Sequence, residues 1–412
     1  MAGPPPDGQP APDDGRLPES ALRRLGERPF GFYVHVPFCA SRCGYCDFNT
    51  YTPAELGSSG GSDGDAWLDA ALAEITLAGA VLGAAPSGLP RVETVFVGGG
   101  TPTLLPPDHL TRVLAKIDDV FGLAAGAEVT TEANPESVQP ASLGRLKAAG
   151  FTRISLGMQS AAQHVLAVLD RRHTPGRAVQ AALEARAAGF EHVNLDLIYG
   201  TPGETDADWA ASLDAVVRAG VDHVSAYALI VEDGTRLARQ VARGVLPAPD
   251  DDVLADRYLA ADAALSAAGL HWYEVSNWAG ADPAARCRHN ELYWRSDDWW
   301  GIGPGAHSHV GGVRWWNVRH PARYAERLAG KASPAQAREV LDADDRRVED
   351  VLLRLRLAAG LPLSVLTAPG RVAAAQAVAD GLLQPAAHQA GRAVLTQRGR
   401  LLADAVVRAL LP

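Results

Sequence analysis

Residues 32–51 read FYVHVPFCASRCGYCDFNTY, a β-branched and aromatic run that passes directly into Cys39, Cys43 and Cys46. The chain has only 4 cysteines in 412 residues, and these three form a CxxxCxxC pattern. A strand ending in such a loop points to an iron–sulfur site. Three thiolates leave one iron of a cubane without a protein ligand, so an exchangeable molecule can bind there. The chain therefore does redox or radical chemistry, or descends from one that did. A structural zinc ion would need a fourth ligand, and the nearby candidates are His35 and Asp47. Disulfide pairing is disfavoured, because three clustered cysteines cannot pair off. Cys287 stands alone and reads as a small buried hydrophobe outside the site.

Composition sets the remaining bounds. The opening MAGPPPDGQPAPDDG lacks the basic start and apolar core of a signal peptide, and its Pro, Gly and Asp content predicts a disordered segment over 1–28. With clustered cysteines and no export signal, a reducing cytoplasmic location is expected. A net charge of −10 with dispersed arginines argues against nucleic acid as a partner, because neutralising phosphates needs a basic surface. No uninterrupted apolar run reaches about eighteen residues, the length a spanning helix needs. Even the Ala-rich stretch 66–85 carries Asp69 and Glu74. Hydrophobic residues at 47% can fill a sizeable core, and the length predicts two domains.

Short β-rich runs at 32–36, 94–97, 128–132, 153–158, 192–198 and 223–229 alternate with amphipathic stretches at 65–82, 108–121, 140–149, 161–169, 175–188 and 206–219. Repeated strand–helix units of this length imply right-handed crossovers and a parallel sheet. The fold class is thus α/β, a partial (βα)6 TIM-like barrel whose functional groups gather where the strands end. The distinctive residues do fall at those ends. After Cys39 come Gly99, Gly100 and Thr101, then Glu132, Gln159, Asp196 and the YGTPG turn. Glycine commonly makes the turn after a strand, but it also lets backbone groups approach a small polar ligand. Glu132, Gln159 and Asp196 have the chemistry to hydrogen-bond a nucleoside, and singly each also fits a helix cap or a satisfied buried polar residue. Arg171, in LDRRHT, fits either a carboxylate partner or an exposed helix end.

Taken together, YVHVPFC, GGGTPT, EANPE, SLGMQS and NLDLIYGTPGET, within residues 30–310, resemble the radical S-adenosylmethionine (SAM) proteins of the HemN-like family. The resemblance implies a radical SAM barrel over 29–312, with a smaller α+β HemN-type domain over 313–412. It implies a 4Fe-4S cluster on Cys39, Cys43 and Cys46, with SAM on the fourth iron. Tyr33, Gly99, Gly100, Thr101, Glu132, Gln159, Arg171, Asp196 and Ala228 carry over as its contacts. An electron donor to the cluster is implied as well. The cofactor does the hard chemistry and the protein positions it.

Two features divide the branches of that family. The coproporphyrinogen III dehydrogenases resemble CxxxCxxCxC, and here the last cysteine position is Phe48. Residues 289–294, HNELYW, resemble the HNxxY motif of the heme chaperone group HemW. That resemblance implies heme as a ligand through His289 and Tyr293, and transfer to an acceptor protein, for instance of the respiratory chain. Any membrane association would be peripheral, through such clients. An imidazole is a normal axial ligand for heme iron, although a lone histidine in an aromatic stretch is more often a packed core residue. No CxxCH is present for a thioether link. The rival reading is radical oxidative decarboxylation of coproporphyrinogen III.

The GIGPGAHSH segment at 301–309 is not a dinucleotide fingerprint, since it lacks a following helix and a distant acidic partner. It is similar to a loop bordering the pocket, and His307 and His309 are spare candidate ligands. Beyond about residue 315, helices are predicted at 324–328, 348–357, 372–379 and 403–410, with a closing β-ribbon and helix over 395–411. This second domain is expected to cover the barrel opening or dock a client.

Overall fold

The computed structural model describes residues 8–57 and 61–411, with side chains from 64 onward in the helix Gly61–Leu82. One sheet of 13 strands dominates. In chain order its strands are β1 (Gln9–Pro10), β2 (Phe30–Val36), β3 (Val92–Gly99), β4 (Leu123–Ala133), β5 (Arg153–Gln159), β6 (His192–Tyr199), β7 (His223–Ala228), β8 (His271–Glu274), β9 (Asn277–Ala279), β10 (Asp298–Ile302), β11 (His307–Val310), β12 (Val313–Asn317) and β13 (Ala335–Val340). Strands β2 to β7 pair in parallel and in sequence order, forming the partial barrel. The β9–β8 hairpin extends it beyond β7, and β10 joins parallel to β2, continued by antiparallel β11, β12, β13 and β1.

The helices form because each crossover carries an apolar stripe and a start signal. The helix Asp206–Ala219 opens on a reciprocal capping box, with the Asp208 amide donating to Thr205 Oγ1 at 3.2 Å and the Thr205 amide donating to Asp208 Oδ2 at 2.9 Å. The outward faces of the strands, including Phe32, Val34, Val95, Ile154, Leu195 and Val224, pack under Leu68, Ile75, Leu110, Ile117 and Leu213 of the helices. The inward faces are polar, with Glu128, Thr130, Arg153, Ser155, Asn194, His223 and Ser225 all buried. A barrel centred on hydrogen-bonding groups instead of branched aliphatics is built around chemistry, not packing alone.

Three expectations need correction. Over residues 8–28 the segment is ordered: Gln9 and Pro10 pair with Arg338 and Ala337, and Ala21 and Leu25 are buried in the main core. Residues 1–7 lie outside the described residues. The division expected at 312/313 falls inside the sheet, which continues to Val340; a separate core begins at Val351 and includes Leu355, Leu361, Leu395 and Leu410. The ribbon expected over 395–411 lies earlier, where Leu361–Pro362 pairs with Arg392–Ala393. Residues 397–401 are helical instead, with Thr396 Oγ1 accepting from the Gly399 amide at 3.0 Å.

The second domain touches both sides of the open sheet. The Val275 and Tyr273 backbones bond to Arg356 and Ala358 beside β8, while Arg314 on β12 pairs with Glu349. The domain thus spans the lateral gap, and among the described residues its hydrogen bonds do not fall on the strand ends that form the barrel mouth.

Candidate functional site

At the barrel mouth, the loop after β2 is fastened before it carries any ligand. The Cys39 amide donates to the Tyr51 carbonyl at 3.0 Å, and the Tyr51 amide donates to the Pro37 carbonyl at 2.7 Å, closing the loop at its base. At its tip, the Gly44 amide donates to the Leu169 carbonyl at 3.1 Å and the Leu237 amide donates to the Gly44 carbonyl at 2.8 Å. The cysteines are free thiols and partly solvent-accessible. Burial raises the Cys39 thiol, and burial chiefly pushes Cys46 up to about 11.

Glycine is required next to this loop. A Cβ on Gly100 would fall onto the Phe38 carbonyl oxygen and lie 3.0 Å from Cys39 Sγ. Gly99 has φ +111°, and its Cβ would lie 2.6 Å from the His35 ring. The zinc alternative loses its nearest fourth ligand, because His35 Nε2 is 2.9 Å from the Asn49 carbonyl and Nδ1 is 2.9 Å from the Tyr33 hydroxyl. Among the described residues, no three His, Cys, Asp or Glu side chains converge on a single ion. Three accessible thiols beside a glycine-lined cradle fit a cluster larger than one ion.

The other strand-end residues surround that loop. Glu132 Oε2 accepts from the Gly99 amide at 3.0 Å, and burial, then the charge of Asp196, push its pKa up to about 8. Asp196 accepts from Ser155 Oγ at 2.8 Å and Asn194 Nδ2 at 2.7 Å, while burial raises its pKa. Arg171 Nη1 donates to Cys43 Sγ at 3.5 Å and Nη2 to the Gly157 carbonyl at 3.1 Å, which ties the cluster loop to β5. Its Nε is buried without a partner. Gln159 sits at φ +64° beyond an irregularity in the β5–β6 register, a strained backbone of the kind that gathers at binding sites. Ala228 closes the ring of residues at the end of β7. The structure therefore brings Tyr33, Cys39, Cys43, Cys46, Gly99, Gly100, Thr101, Glu132, Gln159, Arg171, Asp196 and Ala228 to one mouth. Thr201, in the YGTPG turn, has its Oγ1 buried without a partner among the described residues, as has His173 its Nε2, and His173 is one that sequence reasoning passed over.

His289 and Tyr293 lie elsewhere, on the helix Arg288–Trp294. That helix begins at the opposite end of the barrel, where Glu128 near the start of β4 accepts from the Arg288 and His289 amides at 3.0 Å. A carboxylate there satisfies free first-turn amides and suits the positive end of a helix. His289 is 0% exposed; its Nδ1 is 2.8 Å from Thr94 Oγ1, its Nε2 is 2.8 Å from the Tyr293 hydroxyl, and its ring stacks on Phe96 at 5.3 Å. Burial lowers its pKa to about 3. Both ring nitrogens of His289 are engaged by side chains. HNELYW acts as a plug that fills the barrel interior behind the mouth. Cys287 is buried beside it, as expected.

Comparison with known proteins follows the same lines. The radical SAM superfamily matches residues 33–216. The heme chaperone HemW of Mycobacterium tuberculosis is 60% identical over 95% of this chain and 97% of its own length. HemW of Bacillus subtilis is 32% identical, covering 80% of this chain and 84% of its own. Among solved structures, coproporphyrinogen III oxidase (HemN) from Escherichia coli, a radical SAM enzyme, superposes with a TM-score of 0.81 at 25% identity, covering 95% of this chain and 92% of its own.

Proposed function

This chain belongs to the HemW family within the radical SAM superfamily, and from that premise we propose that it binds heme and passes it to an acceptor protein. Family membership implies a 4Fe-4S cluster and SAM. We assign the cluster to Cys39, Cys43 and Cys46. SAM then lies across the strand ends against Tyr33, Gly99, Gly100, Thr101, Glu132, Gln159, Arg171, Asp196 and Ala228. Such a cluster supplies one electron at its open iron when loaded. Around it, Arg171 offers positive charge beside Cys43; Glu132, pushed up to about 8 chiefly by burial, supplies a proton-bearing group; and Asp196 supplies a hydrogen-bonding carboxyl.

The observation that carries the chaperone reading is the near full-length identity to a heme chaperone. The sequence adds Phe48, which stands 58% exposed where the dehydrogenase pattern has a cysteine. The likeness to HemN keeps the coproporphyrinogen dehydrogenase as a second reading. The client is an unidentified acceptor, for instance a respiratory heme protein, and a separate donor reduces the cluster. A reducing cytoplasmic location suits thiols that must stay reduced to hold iron. Among the described residues no helix is long and apolar enough to cross a membrane, and contact with membranes would run through clients.

The test is to reconstitute the cluster anaerobically, titrate heme by absorbance, and mix the loaded protein with an apo heme protein. Saturable binding followed by transfer is expected. Absence of any saturable heme binding would sink the reading.

A further inference from the structure

Each of the three loop cysteines meets a hydrogen-bond donor. Arg171 Nη1 reaches Cys43 Sγ at 3.5 Å, and the Phe48 backbone hydrogen-bonds Cys46. Beside Cys39 stand the hydroxyls of Thr50 and Thr101, whose hydrogen bonding works against the rise that burial, and then the neighbouring Cys43, impose on its thiol. Thr101 belongs to the proposed SAM wall. Thr50 is free of that duty.

The backbone of Thr50 is held in place and its hydroxyl is left over. Its amide donates to the Phe48 carbonyl at 2.7 Å, and its carbonyl accepts from Arg42 Nη2. The next residue closes the loop base, where the Tyr51 carbonyl accepts from the Cys39 amide at 3.0 Å. Thr50 is 2% exposed, and its Oγ1 is buried without a well-formed partner among the described residues. A neutral thiol is a weak acceptor, whereas a thiolate bound to iron carries the negative charge that such a donor needs. The corner is also closely packed, since a Cβ on Gly100 would lie 3.0 Å from Cys39 Sγ. Where water does not compete, a hydrogen bond to sulfur is strengthened.

We infer that Thr50 is a positioning residue that donates its hydroxyl hydrogen to the iron-bound Cys39 sulfur and thereby raises the reduction potential of the cluster. The inference rests on the assignment of the cluster to Cys39, Cys43 and Cys46. Reduction adds one negative charge to the iron and its sulfurs, so a donor aimed at a sulfur stabilises the reduced state more than the oxidised one. One electron enters from the cluster's donor, no bond is made or broken, and the hydroxyl keeps its proton.

The test compares full-length wild type with Thr50→Val, Thr50→Ala and Thr50→Ser, each reconstituted anaerobically and kept free of SAM. Titration with dithionite against redox dyes, followed by electron paramagnetic resonance of the reduced cluster, gives the midpoint potential. Iron content and thermal melting serve as controls. Valine keeps the shape of threonine and removes the hydroxyl. At a fixed potential the reduced-to-oxidised ratio should be at least about threefold lower in the valine and alanine variants, on the order of 30 mV for a one-electron couple. Serine should restore the wild-type ratio. Midpoints of the valine and alanine variants equal to wild type overturn the inference, as does a serine variant shifted as far as valine. Loss of iron from both the valine and alanine variants makes Thr50 a structural requirement and overturns its tuning role. Wild-type protein without a reducible cluster overturns the cluster assignment and this inference with it.

Discussion

Replacing His289 with alanine removes a side chain that is 0% exposed and bonded at both ring nitrogens, at 2.8 Å each. Thr94 is buried, so its hydroxyl loses its partner without access to water, at a cost of about 1–3 kcal/mol. Tyr293 is half-buried and can recruit solvent, so its loss is counted as small. The emptied ring volume and the lost stacking on Phe96 bring the total to about 3–5 kcal/mol. In a chain of this size that corresponds to a melting temperature lower by about 3–6 °C. His289→Phe refills the volume without restoring either bond, and is expected to recover only part of the loss. Differential scanning fluorimetry of the three proteins, with heme titrations alongside, reads both effects. An alanine variant that melts with the parent yet loses its heme band would make His289 an iron ligand and refute the plug.

Gly100→Ala drives a Cβ onto the Phe38 carbonyl and toward Cys39 Sγ, so iron content per chain after reconstitution should fall by more than half while the far-ultraviolet circular dichroism stays unchanged. Glu74 is 0% exposed and accepts from the Gly303 amide at 2.9 Å, from Asn317 Nδ2 at 2.8 Å and from the Tyr324 hydroxyl. Glu74→Ala should therefore cost about 3–5 kcal/mol in urea denaturation. Burial pushes its pKa up to about 7, above the ordinary value of 4.5. Its stabilising contribution is therefore full below the ordinary value and is lost as pH rises through about 7. The deficit of Glu74→Gln should accordingly shrink between pH 5 and pH 8 (both on the order of the two pKa limits), and a growing deficit would contradict the assignment. Phe48→Cys, at an exposed site, should change stability by less than about 0.5 kcal/mol and restore no coproporphyrinogen turnover, as followed by porphyrin fluorescence.

Local pattern made the barrel legible. Each of the runs such as FYVHV and RISLGMQ is β-branched or aromatic, lies between helix-period segments and ends in a polar or glycine turn, so both the strands and their functional ends could be read directly. The extension from β10 to β13 was not legible, because WWGIG and HSHV are short and interrupted by glycine, and their pairing is set by partners far along the chain. β1 was hidden by its Pro-rich composition; it is ordered only because Arg338 and Ala337 offer an edge to pair with. His289 shows the same limit at a site. Its motif stood in the sequence, but its bond to Thr94 spans 195 positions and no local pattern reports it. The cysteine loop is the opposite case, with ligands, spacing and adjoining glycines all within a short reach of chain.

The account holds that a radical SAM barrel here handles heme instead of making its precursor. The direct measurement is to incubate the reconstituted protein anaerobically with SAM, reductant, heme and coproporphyrinogen III together, then to separate the porphyrins by chromatography. Heme recovered on the protein with coproporphyrinogen unchanged is the predicted result. Formation of protoporphyrinogen would contradict it.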